Sequence, residues 1–111
     1  GGTGSLADIF KNEKFALANT GSTLIYTVPS DSRALIKNIQ TTNSGANAVV
    51  TLSANDGSTS FNTSISSLAT NTHSNLLDAP LVLIESETLN IQSTIANAVS
   101  GVVSILEISR N

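Results

Sequence analysis

The segment Thr88-Leu89-Asn90-Ile91-Gln92-Ser93 alternates polar and apolar residues along its whole length. Successive side chains of a β-strand point to opposite faces, so Leu89 and Ile91 are expected to face a core while their neighbours face outward. An α-helix does not place residues two positions apart on one face. The segment therefore predicts a half-buried strand, and comparable short stretches occur on both sides of it.

These other apolar stretches are separated by Pro, Gly, Asn, Asp and Ser at intervals of about 8 to 12 residues, which is typical of a sandwich or barrel. We predict one antiparallel β-sandwich of about eight strands, jelly-roll-like or immunoglobulin-like. Besides the stretch quoted above, the strands are predicted at residues 15–18, 23–28, 33–42, 48–53, 81–84 and 102–108, with residues 58–72 the least regular part.

The alternation is imperfect in residues 33–42. Ala34 and Ile36 point one way, and Leu35 and Ile39 point the other. Either both faces of this strand are covered, or a β-bulge shifts its register.

Two polar reversals follow this strand. Residues 43–47 (NSGAN) predict a hairpin turn that pairs residues 33–42 with residues 48–53. Asn55-Asp56-Gly57 is a second reversal, because Asp-Gly tolerates the positive φ that tight hairpins require. Beyond it, Phe61, Ile65 and Leu68 are candidates for the core.

Composition supports a β protein of one domain. Ser, Thr and Asn supply 42 of the 111 residues, and only 12% of residues are charged, about half the usual share. Helix surfaces are normally rich in Glu, Lys, Arg and Gln, whereas Thr favours strands and Ser and Asn favour turns. We divide the chain into an N-terminal arm, residues 1–12, and a sandwich domain, residues 13–111.

Charge and hydropathy exclude several classes of partner. The net charge is −3 and the five basic residues are scattered, so no basic face for nucleic acid is expected. Apolar stretches stay far below the ~20 residues that cross a bilayer, so no membrane contact is expected. Cysteine is absent, which removes disulfides and thiolate chemistry from this chain.

The residues that could carry chemistry are isolated. His73 lies in a Ser/Thr/Asn-rich stretch without the further ligands that a metal site needs or the ordered partners of a catalytic triad. Glu85 and Glu87 share one side of an extended segment but lack the aromatic platforms of a sugar-cleaving cleft. Asp56 and Asp78 do not belong to a calcium-loop pattern. We therefore expect no catalytic residue, metal, cofactor or small-molecule substrate.

The last strand is apolar on both faces, with Val102, Leu106 and Ile108 on one side and Val103 and Ile105 on the other. In a two-layer sandwich the outer face should be polar, so something is expected to cover it. Leu6, Ile9 and Phe10 of the arm are similarly costly to leave in water. The predicted interface residues are therefore Leu6, Ile9, Phe10, Val103 and Ile105, unless the strand is internal and the arm folds back on its own domain.

Three stretches carry a family resemblance. Residues 26–29 read Tyr-Thr-Val-Pro at a strand end, residues 34–43 run from Ala-Leu-Ile into Thr-Asn, and residues 76–93 pass from Leu-Leu-Asp-Ala-Pro-Leu-Val-Leu into Glu-Thr-Leu-Asn-Ile-Gln-Ser. Across residues 22–108 the chain resembles small virion proteins of tailed bacteriophages. It departs from them in the Ser-Asp-Ser turn after Pro29 and in its first dozen residues, and no functional residue is carried over.

The resemblance implies a β-sandwich with a structural role in the virion, often one that decorates or cements the capsid. Our leading hypothesis is such a protein on the capsid surface, forming a homotrimer and contacting the major capsid protein. A tail, connector or fibre-base component is an alternative with the same fold. A carbohydrate-binding module is a further alternative, which would require a row of exposed aromatic side chains. The chain has only Phe10, Phe15, Tyr26 and Phe61 to form such a row.

Overall fold

The computed structural model describes residues 7–109, which form nine β-strands and no helix. This part of the chain accordingly contains no helix long and apolar enough to span a membrane. The strands are β1 (Ala7–Ala16), β2 (Thr23–Thr27), β3 (Ser32–Asn43), β4 (Ala48–Asn55), β5 (Ser60–Leu68), β6 (Thr72–Asn75), β7 (Leu81–Leu83), β8 (Thr88–Ser93) and β9 (Val99–Ser109).

The strands form two antiparallel sheets. The five-stranded sheet has the order β1-β9-β3-β6, with β7 also pairing with β3, and the four-stranded sheet has the order β2-β8-β4-β5. The pairs are nested: β1 with β9, β2 with β8, β3 with β6 and β7, and β4 with β5. This is the arrangement of one long hairpin rolled up so that alternate pairs lie in opposite sheets, a jelly roll. The predicted all-β sandwich is confirmed, in its jelly-roll form.

The predicted hairpin at residues 43–47 is wrong, because β3 and β4 belong to different sheets. Asn43 explains why the chain crosses between the sheets here. Its buried side chain donates hydrogen bonds to the carbonyl oxygens of Ala46 (2.8 Å) and Leu68 (2.9 Å) and accepts one from Gly45 N–H (3.0 Å). The reversal at Asp56 is the hairpin turn, and it joins β4 to β5.

The core lies between the sheets and contains the inward residues of every long strand. A bulge at Lys37 shifts the register of β3, so that Ile39 is buried on the same side as Ala34 and Ile36 while Leu35 faces outward. The bulge alternative is therefore confirmed for this strand. In the irregular β5, only Leu68 is buried, and Phe61 and Ile65 are exposed.

β1 is longer than the sequence predicted. It pairs with β9 at each position from Ala7 to Ala16, so the predicted boundary between residues 12 and 13 falls inside a strand. Residues 7–12 of the predicted arm are thus the first part of an edge strand of the five-stranded sheet. Residues 1–6 of the arm, including Leu6, lie outside the described residues.

Gly101 of β9 lies in close contact with both neighbouring strands. It pairs with Phe15 of β1, and a Cβ added at Gly101 would lie 2.8 Å from the Phe15 ring and 2.1 Å from the carbonyl oxygen of Gln40. The ring can rotate, but the backbone oxygen is fixed by the sheet. Only glycine therefore fits at this position.

We expect Gly101→Ala to lower the free energy of unfolding by about 1–3 kcal/mol, because overpacking forces the backbone to shift. Chemical denaturation followed by circular dichroism measures the change. Gly21→Ala is the matched control, since its new Cβ would meet only the Asn19 side chain, at 3.3 Å. Equal stability of the two variants would contradict the packing argument.

Candidate interaction surface

A row of apolar side chains crosses the outer face of the five-stranded sheet. Phe10 of β1 pairs with Leu106 of β9, Leu106 pairs with Leu35 of β3, and Leu35 pairs with Val82 of β7. Residues directly opposite each other in antiparallel strands project from the same face. These four residues form one continuous ladder, which we call the outer apolar row.

The outer apolar row is open to solvent. Phe10 is 75% exposed and Val82 is 60% exposed, while Leu35 and Leu106 between them are half-buried. The Lys37 ammonium lies 6.0 Å from the centroid of the Phe10 ring, within the range of a cation–π contact. Isolated exposed apolar residues are common, but a contiguous apolar strip across four strands is typical of a contact surface.

The next outward row carries charges at its two ends. Asp8 of β1 pairs with Ile108 of β9, which pairs with Arg33 of β3. Asp8 and Arg33 are exposed, Ile108 is half-buried, and neither charged residue forms an ion pair within residues 7–109. The apolar surface is thus extended by Ile108 and bounded by one negative and one positive side chain.

A buried polar cluster lies directly beneath this surface. Glu107, between Leu106 and Ile108 in β9, points into the sandwich, where its Oε2 accepts a hydrogen bond of 2.5 Å from the Tyr26 hydroxyl. The Lys11 ammonium lies 3.1 Å from the same oxygen and 5.6 Å from the centroid of the Tyr26 ring. Because Tyr26 belongs to β2, this cluster joins the two sheets.

Burial raises the pKa of Tyr26 far above its ordinary value, and the hydrogen bond to Glu107 and the negative charges of Glu107 and Glu13 raise it further. The phenol therefore remains a hydrogen-bond donor throughout the physiological range. A buried carboxylate needs such partners, because an unpaired buried charge costs several kcal/mol. The cluster fixes Glu107 on the inner face, which places Leu106 and Ile108 on the outer face.

A second exposed apolar region lies at the opposite edge of the sandwich. Phe61 and Ile65 of the edge strand β5 are exposed. Next to them, a groove of about 480 Å³ runs between residues 63–66 and residues 76–81. Ser64 and Ser66 line it with their hydroxyl oxygens 3.2 Å apart. The groove is polar and open, and no titratable pair converges on it among the residues that line it.

The predicted interface residues are distributed unevenly. Ile9 and Phe10 lie on β1 with more than half of each side chain exposed, and Leu6 lies outside the described residues. The prediction that Val103 and Ile105 face outward is wrong, because both are buried between the sheets. Both faces of β9 are apolar in sequence, and alternation alone does not tell which face is inner.

Sequence reasoning did not select Leu35, Val82 and Leu106 as interface residues. Their alignment depends on the pairing of β1, β9, β3 and β7, which are far apart in the chain. The charged Glu107 of β9 gives no usable signal, because a glutamate is ordinarily expected on the outer face of a sheet.

Three of the four acidic residues considered for chemistry hold turns, and Asp78 lines the groove described above. A Glu85 side-chain oxygen accepts a hydrogen bond from Asp31 N–H (2.9 Å), and a Glu87 oxygen accepts one from Ile84 N–H (2.9 Å). Asp56 accepts hydrogen bonds from the N–H groups of Thr59 and Ser58, which lower the pKa of its carboxyl. Within residues 7–109, no three His, Cys, Asp or Glu side chains are grouped so that they could hold a metal ion.

Comparison with known proteins supports the fold but does not assign the chain to a family. No family model matches the chain, and no curated protein matches it. A solved structure of Bacillus endospore appendages, described as a novel family of disulfide-linked pili, matches with a TM-score of 0.61 and 16% identity. The match covers 98% of this chain and 91% of the pilus chain. At 16% identity, the likeness concerns the all-β sandwich fold alone.

Tyr26 is the only tyrosine, and the chain has no tryptophan, so its ionisation can be followed directly by ultraviolet absorbance. Its folded pKa is raised above the ordinary value of 10.0. The unfolded chain therefore releases a proton above pH 10 that the folded chain retains. We expect stability to fall as pH rises beyond 10, by about 1.4 kcal/mol per pH unit, and the contribution of Tyr26 to be constant below that pH.

Tyr26→Phe should remove this part of the pH dependence and lower the free energy of unfolding at neutral pH by about 1–2 kcal/mol, because Glu107 loses a buried donor. The difference between the denaturation curves of the two proteins as a function of pH measures the contribution of Tyr26 and its partners in the cluster. Tyrosinate absorbance that developed near pH 10 in the folded protein would contradict the prediction.

Proposed function

We propose that this protein is a structural subunit of a multi-copy assembly and that it acts through surface contacts rather than catalysis. The observation that carries the proposal is the outer apolar row, which exposes Phe10 and Val82 on the outer face of the five-stranded sheet. Covering such a strip releases apolar surface from water at about 25 cal/mol per Å². Under this proposal, no enzymatic role is assigned to His73, Glu85 or Glu87.

In its specific form, the proposal is a capsid decoration protein of a tailed bacteriophage. The resemblance of residues 22–108 to small virion proteins supports it. The implied partner is the major capsid protein, the implied state is a homotrimer, and the implied location is the capsid surface. A surface rich in Ser, Thr and Asn with few charges suits a particle exposed to changing salt, because uncharged hydrogen-bonding groups are not screened. Weak contacts of each copy would combine through avidity.

A second candidate is a subunit of a surface appendage. The likeness in fold to a chain from endospore appendages described as disulfide-linked pili favours it. This chain has no cysteine, so its own residues cannot form such cross-links. An appendage built from it would be held by non-covalent contacts of the kind that the outer apolar row offers.

The carbohydrate-binding alternative has little structural support. Of the four aromatic residues, Phe15 and Tyr26 are buried. The two exposed ones, Phe10 and Phe61, belong to β1 of one sheet and β5 of the other. They therefore do not form the row of platforms on one face that a sugar chain would need.

Light scattering and electron microscopy of the purified chain test the proposal. A discrete oligomer would support the capsid form, and filaments that lengthen with concentration would support the appendage form. A monomer at concentrations up to about 100 µM, with no binding to the parent particle, would contradict both; that limit corresponds to a free energy of association of only about 5–6 kcal/mol.

Because the proposed contacts are mainly apolar, we expect association to persist or strengthen at about 1 M sulfate, where exposed ion pairs are screened and apolar burial is favoured. Sedimentation at low and high salt measures this. Dissociation by salt alone would show that charged groups hold the assembly and would contradict a contact based on the outer apolar row.

A further inference from the structure

We infer that the outer apolar row is a two-fold interface with a second copy of this chain. The inference rests on the proposed assembly role and names the surface, the partner and the symmetry of one contact. This contact is separate from the three-fold contacts of the homotrimer that the capsid form implies. It follows from the order in which charged and apolar residues lie across the five-stranded sheet, with the strands in the order β1-β9-β3.

The surface is complementary to itself. Asp8 lies on β1, Ile108 on β9 and Arg33 on β3, in one row across the sheet. A two-fold axis parallel to the strands and above β9 places β1 of each copy over β3 of the other. Each Asp8 then faces an Arg33 of the other copy. A single patch therefore gives the interface two ion pairs, because it carries both the negative and the positive side chain. An interface of this kind, in which one patch meets its own copy, is the commonest in homodimers.

The same rotation matches the apolar residues. Leu106 of one copy meets Leu106 of the other at the axis, and Phe10 of each copy covers Leu35 of its partner, with Val82 beside it. Sheets that pack face to face keep their strands within about 30° of each other, which this axis satisfies. Lys37 makes no ion pair within residues 7–109, and its ammonium reaches from β3 across β9 to the Phe10 ring. The two-fold interface requires this long side chain to leave the ring and lie at the rim.

Other arrangements fit the charges less well. A two-fold axis along the row itself would stack Phe10 on Phe10 but would move Asp8 and Arg33 to opposite sides of the interface. A different protein would need to offer both charges in mirrored positions, whereas a second copy supplies them. With four strands about 4.8 Å apart and about nine residues at a rise of about 3.4 Å each, the whole outer face covers roughly 600 Å² per copy. This is slightly below the ~800 Å² per partner of a standard interface, so a dimer of moderate affinity is expected.

Charge reversal in the full chain gives a test that does not depend on loss of folding. Asp8→Arg would place two arginines opposite each other at both ends of the interface, and Arg33→Asp would do the same with aspartates. We expect each single variant to dimerise about tenfold more weakly, because two attractive exposed pairs become repulsive; tenfold corresponds to about 1.4 kcal/mol. An equimolar mixture of the two variants should restore dimerisation, because every arginine then faces an aspartate.

Leu106→Asp tests the apolar part and should weaken the dimer by more than 100-fold, since two carboxylates would meet at the axis. Ser100→Asp is the matched control, because Ser100 is exposed on the same strand and the same outer face, away from the row. Sedimentation equilibrium measures the masses, and circular dichroism checks that each variant is folded.

The outcomes separate the inference from the proposed function. A wild-type dimer that Leu106→Asp dissociates, with restoration in the mixture, supports the two-fold interface. A larger oligomer unaffected by these variants overturns it and leaves the assembly role standing. If the mixture dimerises no more tightly than either variant alone, the two-fold axis parallel to the strands is overturned. A wild-type chain that stays monomeric overturns the two-fold interface, and the assembly role is overturned only if this chain also fails to bind the parent particle.

Discussion

The hydrogen bond from Tyr26 to Glu107 determines which side of β9 is inside. β9 is an inner strand of its sheet and pairs with β1 along one edge and with β3 along the other. Its side-chain orientation therefore sets the orientation of both neighbours. Turning Glu107 outward would bring Leu106 and Ile108 inward and would move Val103 and Ile105 into water. The buried carboxylate, held by a phenol of the opposite sheet and by Lys11, fixes the whole five-stranded layer in one orientation.

The class of fold could be predicted from local pattern, and the pairing of strands could not. The alternation in β8 and the abundance of Ser, Thr and Asn were enough to predict a β-sandwich. The turn at residues 43–47 looked like a hairpin because its composition is the same in a hairpin and in a connection between sheets. The difference lies in Asn43, whose side chain reaches Leu68, 25 residues away, and such a contact leaves no local signal. The bulge at Lys37 could be foreseen as one of two options, since Ile39 breaks the alternation.

The sequence predicted only those residues of the candidate surface that can be recognised from a single strand. Phe10 and Ile9 stood out as large apolar residues near a chain end, and both are exposed. Leu35 and Val82 do not stand out within their own strands. They can be recognised as part of a surface only from the strand register, which aligns them with Phe10 and Leu106. For β9 the pattern was ambiguous, and the wrong face was chosen, because a buried glutamate is too rare for its position to be assumed.

The nesting of the strands gives the outer apolar row one further property. Its four residues come from the first, third, seventh and last strands, and β1 can join only when β9 is in place. Jelly rolls are dominated by contacts between distant parts of the chain and fold slowly. A partly folded copy therefore lacks the strip that would let it bind another copy. Incorporation into an assembly would itself act as a quality control, admitting only chains whose folding is complete.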